Sequence, residues 1–211
     1  PADMINVVIT DKRITVIDNG RGIPTDIIQK VFETIQAGSN MERAGGYTAG
    51  ENGVGTTCAV AMGAELIAKT IRPNEKKILT LTYQNGRLVD RKEEKYTGKD
   101  HGMVVSFSPS KKLMGTDKIP IDLLKDWFKD FDYTLPRGIK MEYTINNKTT
   151  KVEHKTVDEF FDIDIKPEHR FCSPLRLKCS GGLKESYRDK DYDRTFEIEA
   201  ALVYSSGDYR G

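Results

Sequence analysis

The 211-residue sequence predicts an α+β fold, an α/β sandwich in which one mixed sheet carries helices on one face. Three observations lead there. β-Branched residues open the chain in two short runs, 5–10 (INVVIT) and 14–18 (ITVID). Apolar residues recur at helical spacing in 27–35 and again in 120–131. Strand and helix signals then mix without the strict alternation of a parallel βαβ sheet.

The elements follow in order. Asp11, Lys12 and Arg13 form a short polar link between the first two strands, which predicts a hairpin. Thr25 is an N-cap candidate for a helix whose apolar face is Ile27, Ile28, Val31, Phe32 and Ile35, with Gly38 as its stop. Residues 38–52 (GSNMERAGGYTAGEN) are glycine-rich without an apolar period and are expected to form a mobile, lid-like loop. The small apolar residues of 56–68 (TTCAVAMGAELIA) predict a buried helix. Strands are expected at 76–83 and 86–91 around the turn Asn85-Gly86, and at 103–109. A helix at 120–131 starts at Pro120. Residues 139–145 and 148–154 pair around Asn146-Asn147, a short helix is expected in 156–162, and 195–204 reads as a strand.

Composition sets outer limits. Apolar residues make up 37% and charged residues 31%, with a net charge of +1, so no global field points to nucleic acid or membrane. Three cysteines, Cys58, Cys172 and Cys179, fit neither a disulfide framework nor a paired-CxxC zinc site and read as free thiols. No apolar run approaches the roughly 20 residues of a membrane span. Pro1 stands where an initiator methionine would, directly before a strand, so an upstream segment is expected.

Two glycine motifs carry the chemistry. In DNGRGIP (18–24) an acid ends a strand just before two glycines. Such a pair serves as a plain turn, but glycines also let the backbone lie close to a flat ligand. The Asp18 carboxylate can accept hydrogen bonds from an exocyclic amino group such as that of adenine. Ile23 and Pro24 would wall the base. In GENGVG (50–55), Gly50, Gly53 and Gly55 would bring N–H groups toward a phosphate at a helix N-terminus. Alone, that loop serves simple packing equally well. Neither a dinucleotide fingerprint nor a Walker motif is present. The order of acid, glycine-rich loop and phosphate nest argues for nucleotide binding.

These stretches, with AGSN (37–40), the strand HGMVVSFSPS (101–110) and FEIEAAL (196–202), resemble the ATPase region of type IIA DNA topoisomerases: gyrase, topoisomerase IV, and phage or eukaryotic topoisomerase II. That family lies in the GHKL superfamily (Bergerat fold), with heat-shock chaperones, MutL and histidine kinases. The resemblance implies a GHKL ATP-binding domain over 1–165 and the beginning of a transducer domain over 166–211. It implies ATP and Mg²⁺ as cofactors. Asp18 would accept the adenine amino group, Gly20 and Gly22 would admit the base, with Gly22 near an ordered water, and Ile23 and Pro24 would line it. Ser39 and Asn40 would contact ribose and phosphate. Gly50, Asn52, Gly53, Val54 and Gly55 would cradle the phosphates, and Arg72 would stand at the pocket mouth or be a solvated strand-end arginine.

Met103 occupies a position where many members carry a threonine that helps hold an adenine-bound water. The family's general base, its Mg²⁺-ligating asparagine and its dimerisation arm lie upstream of DNGRGIP. Its γ-phosphate lysine lies downstream, in the transducer. The 211 residues alone are therefore expected to bind ATP without hydrolysing it, with no catalytic or metal-ligating residue among them. The whole protein would use ATP to drive a homodimer gate for DNA strand passage, with a separate DNA-cleavage subunit as a further partner and no membrane. It would act in the cytoplasm, or in the nucleus of a eukaryote. The alternatives are a nucleotide-binding clamp and a MutL-like repair ATPase. His101, His154 and His169 are scattered and read as turn or solvated residues. Trp127 and Phe128 read as core, 91–96 (RKEEKY) as a solvated strand edge, and 184–194 as a mobile charged loop.

Overall fold

The computed structural model describes residues 2–35, 54–136, 138–156, 159, 165, 167–187 and 190–206. The chain divides into two units, Pro1–Gly38 with Asn52–Val152, and Ser39–Glu51 with Glu153–Gly211.

In the first unit one sheet contains β1 (Met4–Thr10), β2 (Arg13–Asp18), β3 (Gly63–Arg72), β4 (Lys77–Gln84), β5 (Arg87–Lys95), β6 (Gly102–Pro109), β7 (Lys140–Ile145) and β8 (Lys148–Lys151). Their order is β5-β4-β3-β6-β2-β1-β7-β8. β1 and β7 run parallel and the other neighbours antiparallel, so the sheet is mixed as expected. The hairpin turns follow their chemistry. Asn85 and Gly86 have φ of 48° and 78°, and Asn146 and Asn147 have 50° and 65°. A left-handed pair matches the twist of the flanking strands, and asparagine tolerates it better than most side chains.

Register assigns the faces. Val7, Val16, Val105, Ala68 and Leu81 are successive cross-strand partners. Ile9, Ile14, Phe107, Leu66 and Tyr83 form the row on one side of them, and Ile5, Asp18, Met103, Thr70 and Leu79 the row on the other. The rows are two residues apart along each strand, so all three lie on one face.

That face carries the helices. α1 (Ile28–Glu33) and α2 (Gly55–Met62) place Ile28, Phe32 and Val60 against Leu66, Ala68, Leu79 and Leu81. Beyond the short α3 (Lys111–Met114), α4 (Ile121–Thr134) sets Phe128 against Val7, Ile9, Met141 and Ile145. The Phe128 and Tyr143 rings stack with centroids 4.5 Å apart. Fully burying each such side chain contributes about 1.5–3 kcal/mol. Near the end of β4, Tyr83 is buried beside Glu33. Burial, and then the Glu33 charge, hold its phenol well above the usual tyrosine range.

Several expectations need correction. The predicted helix over 56–68 stops at Met62, and Gly63 is already extended (φ −80°, ψ 136°) as β3 begins. A Cβ on Gly63 would stand 3.0 Å from the Ala59 carbonyl and 3.2 Å from the Phe107 ring, so helix passes to strand there without a loop. From Leu66 the buried residues alternate, Leu66, Ala68 and Thr70, which is strand periodicity. α1 ends at Glu33, so Ile27 and Ile35 flank it, both exposed, and Gly38 is not its stop. Thr25 is no N-cap: Ile27 holds that position without a side-chain cap, and Thr25 bonds elsewhere. Phe128 is core, but Trp127 is 54% exposed and packs edge-on against Phe131. The strand edge at 91–95 is exposed as predicted. The short helix expected in 156–162 falls largely outside the described residues.

In the second unit β9 (Leu175–Tyr187) pairs antiparallel with β10 (Lys190–Leu202), in register from Leu175↔Leu202 to Tyr187↔Lys190. The described residues of 184–194 thus belong to strands rather than to a charged loop. β10 contains most of the strand expected at 195–204. The Arg170 guanidinium donates to the Ile165 carbonyl, at 2.9 Å from Nε.

Leu81 is fully buried beneath α1 and α2. Leu81→Ala should lower the unfolding free energy by about 2–5 kcal/mol in urea titrations, whereas Val89→Ala, at an exposed position, should change it by less than about 0.5 kcal/mol.

Candidate functional site

Between the two helix packs β2 is left open. Val16 stands in the middle row of the helix-bearing face, yet it is 38% exposed, and neither apolar cluster takes it in. A trough therefore runs along β2. Val16 and its partner Val105 form its floor, and Asp18 and Met103 close one end. Toward the other end Ile14, Phe107, Met114, Ile119 and Leu124 line a cavity of about 410 Å³.

Asp18 is pre-oriented. Its Oδ1 accepts the Gly20 N–H at 2.7 Å. A Cβ on Gly20 would lie 2.8 Å from that oxygen, so glycine is what lets the carboxylate reach the backbone. Oδ2 has no protein donor among the described residues and remains an acceptor. Gly102 backs the aspartate from β6. Its φ is 140°, and a Cβ there would overlap the Asp18 carbonyl oxygen. Asn19 has a structural task, its Oδ1 accepting the N–H groups of Asp3 and Met4 at 3.0 Å.

Residues Gly20–Thr25 belong to no strand or helix, so their polar backbone groups need partners elsewhere. Side chains from β3, from the turn after it and from the residue preceding β6 supply them. His101 Nδ1 donates to the Gly20 carbonyl at 2.8 Å. Arg72 Nη1 donates to the Arg21 carbonyl at 2.7 Å. Thr70 Oγ1 accepts from Ile23 N at 3.0 Å and donates to Ile23 O at 2.8 Å. Glu75 Oε2 accepts from Thr25 N at 3.1 Å and from Thr25 Oγ1 at 2.7 Å. Gly22, at φ 66°, passes so close that a Cβ would lie 2.8 Å from Thr70 Oγ1. The Pro24 carbonyl accepts Ile27 N and Ile28 N and so starts α1.

Glu75 sits in the 3₁₀ turn Pro73–Glu75, and its Oε1 accepts Arg72 Nε at 2.9 Å. Burial pushes its carboxyl up, but the hydrogen bonds from Thr25 and the Arg72 guanidinium outweigh burial and hold it below its ordinary 4.5. The stability this contributes is present above that ordinary value and is lost as pH falls through the lower folded value. Arg72, Arg21, Pro73, Asn74 and His101 line an adjoining pocket of about 220 Å³. Arg72 is thus a half-buried clasp, not a solvated strand end.

The structure brings Asp18, Gly20, Gly22, Ile23, Pro24 and Arg72 together. Val54 is exposed, and Gly55 opens α2 with no described residue within 4 Å of a Cβ built on it. Thr56 Oγ1 ties the start of α2 to the Val31 carbonyl at 3.2 Å. Ser39, Asn40, Gly50, Asn52 and Gly53, and the lid expected over 38–52, lie outside the described residues. Sequence reasoning missed Val16 and Val105, which alternation back from Asp18 and forward from Met103 would have found. It also missed Thr70, Glu75 and His101, whose partners lie 47 to 81 residues away. Among the described residues no group of three or more His, Cys, Asp or Glu is placed to hold a metal ion. No described helix is long and apolar enough to cross a membrane.

Comparison with known proteins assigns the class. No protein-family model matches the chain. The 43K ATPase domain of gyrase B from Thermus thermophilus, solved in complex with an aminocoumarin, superposes with a TM-score of 0.67 at 18% identity, over 98% of this chain and 52% of that one. The chain therefore shares the fold of that domain. In sequence the chain is similar to bacterial gyrase B and type 2 topoisomerase B proteins. It is 30% identical over 143 residues to the type 2 topoisomerase B protein of Aquifex aeolicus, covering 64% of this chain and 18% of the relative. It is 23% identical over 220 residues to DNA gyrase B of Mycoplasma genitalium, covering 97% and 33%. The chain thus spans a third or less of these relatives. They are the proteins toward which DNGRGIP and GENGVG point.

Gly102→Ala forces either β6 or the Asp18 backbone to move. It should destabilise the fold by about 1–3 kcal/mol in thermal or urea unfolding, because the left-handed backbone and the overlap both penalise a side chain. Gly115→Ala serves as the comparison: it also has a positive φ, of 74°, but open space around it, and should cost less.

Proposed function

We infer that the trough along β2 binds ATP and reads its adenine through Asp18. The observation that carries this is a carboxylate with one oxygen fixed by Gly20 N–H and the other left as an acceptor above an apolar floor. A flat base would lie between the Val16–Val105 floor and the wall of Ile23 and Pro24, with its exocyclic amino group donating to Oδ2. Gly20 and Gly22 keep the backbone low beside it. From there the ribose and phosphates would run to Ser39 and Asn40 and to Gly50, Asn52, Gly53, Val54 and Gly55, where the α2 N–H groups favour negative charge. Arg72 borders the mouth. Mg²⁺ would arrive with the triphosphate and supply charge neutralisation there; the described residues offer it no ligand set.

In this reading residues 1–165 are the ATP-binding domain and 166–211 begin a transducer. The whole protein is an ATP-dependent type II DNA topoisomerase, in which nucleotide binding and hydrolysis drive a homodimer gate for DNA strand passage. A separate DNA-cleavage subunit is a further partner, and the compartment is wherever the DNA lies, cytoplasm or nucleus. The names of the relatives, DNA gyrase B and type 2 topoisomerase B, support this.

Asp18→Asn keeps the size of the side chain but can turn a donor toward the adenine amino group. Titration calorimetry with a non-hydrolysable ATP analogue should show affinity weakened about ten- to a hundredfold, the equivalent of about 1.5–3 kcal/mol for a hydrogen bond to a charged acceptor. Wild-type affinity in a folded Asp18→Asn protein would remove the aspartate from this role.

A further inference from the structure

The Gly20–Thr25 segment is held by side chains rather than by a neighbouring strand, and its last tether is Glu75. Glu75 uses both carboxylate oxygens on it. Oε2 takes Thr25 N and Oγ1, and Oε1 takes Arg72 Nε, while Arg72 Nη1 holds the Arg21 carbonyl. One side chain therefore grips the segment at two points, directly at Thr25 and through a guanidinium at Arg21. Ile23 and Pro24 lie between those points. The grip is partly shielded, with the Glu75 side chain 26% and the Arg72 side chain 19% exposed. On the β5 side, Arg91 Nη2 approaches the Thr25 carbonyl at 3.5 Å.

We propose that Glu75 is the positioning residue of the base slot: through Thr25 and Arg72 it sets the height of the Ile23–Pro24 wall above the Val16–Val105 floor. The proposal rests on the nucleotide reading above for what enters the slot, but not for the grip itself. A wall already held in place receives a base without having to order the segment first, and losing that order weakens base binding. Glu75 touches no ligand in this scheme. Its effect is confined to groups that pack on the base, so the contribution of the phosphates should survive its loss.

The test uses the 211-residue chain with Glu75→Ala, Thr25→Val and the conservative Thr25→Ser. In ligand-free protein, hydrogen exchange at the Thr25 amide should speed up at least about tenfold in Glu75→Ala, stay close to wild type in Thr25→Ser and fall between in Thr25→Val. In calorimetry the non-hydrolysable ATP analogue should bind Glu75→Ala about tenfold more weakly, with inorganic tripolyphosphate unchanged. Thr25→Ser should restore wild-type affinity for the analogue. Equal losses for analogue and tripolyphosphate would mean a general structural role and overturn the proposal, as would wild-type exchange and affinity in Glu75→Ala. If Glu75→Ala does not fold, Thr25→Val decides by the same two readings. If the wild-type chain binds neither ligand, the nucleotide reading fails and the exchange arm still decides whether Glu75 positions the segment.

Discussion

The pairing of β2 with β6 is the constraint on which the first unit depends. It brings Asp18 opposite Met103 and Val16 opposite Val105, and through β6 it links both to β3 and β4. A shift of one residue would turn Val16 and Asp18 to the helix-free face and bring Thr15 and Ile17 to the helix side. Each face resists that change. On the helix side, rows of Val, Ile and Leu lie under α1, α2 and α4. On the other, Thr15 Oγ1 lies 2.9 Å from Ser106 Oγ, and Arg13 Nη1 donates to the same hydroxyl at 3.1 Å. Apolar cover and polar pairing thus select the same register, and the register puts an acid at the end of an apolar trough.

What surrounds the acid follows from backbone supply. A strand partner would satisfy the Gly20–Thr25 segment but would also fill the space above β2. Side chains satisfy it from one flank only and leave the trough open. Polar groups fixed before a ligand arrives reduce the ordering cost of binding. The arrangement also explains why the segment can contain two glycines and remain in place. Its freedom is restricted by Thr70, Arg72, Glu75 and His101 rather than by its own side chains.

Much of this architecture is legible from local signals. Hairpins at Asn85-Gly86 and Asn146-Asn147, β-branched strands and the amphipathic α4 depend on neighbours close in sequence. The start of β3 reads as helix because its first residues, Gly63 and Ala64, are small and continue the composition of α2. The alternation that marks it starts only at Leu66. The end of β9 and the start of β10 are hidden by charge, since a strand pair in a hairpin needs no apolar residue at every turn. In the site, Asp18 and its glycines announce themselves by type and spacing. Glu75 and His101 do not, since a glutamate in a turn and a histidine before a glycine are ordinary until folding places them beside Thr25 and Gly20.

The insertion of the β1–β2 hairpin between β6 and β7 also has a consequence for biosynthesis. The hairpin is translated before the strands that flank it, around Val105 and Tyr143, which come much later. At about 5–20 residues per second the ribosome needs on the order of ten seconds to deliver them. During that interval an isolated two-stranded hairpin is at best marginally stable and offers two unpaired edges rich in Val and Ile. Its parallel pairing with β7 closes a long loop, which is a slow step. Until β6 and β7 arrive, the strand that ends in Asp18 therefore has an open edge at which the nascent chain can misassociate.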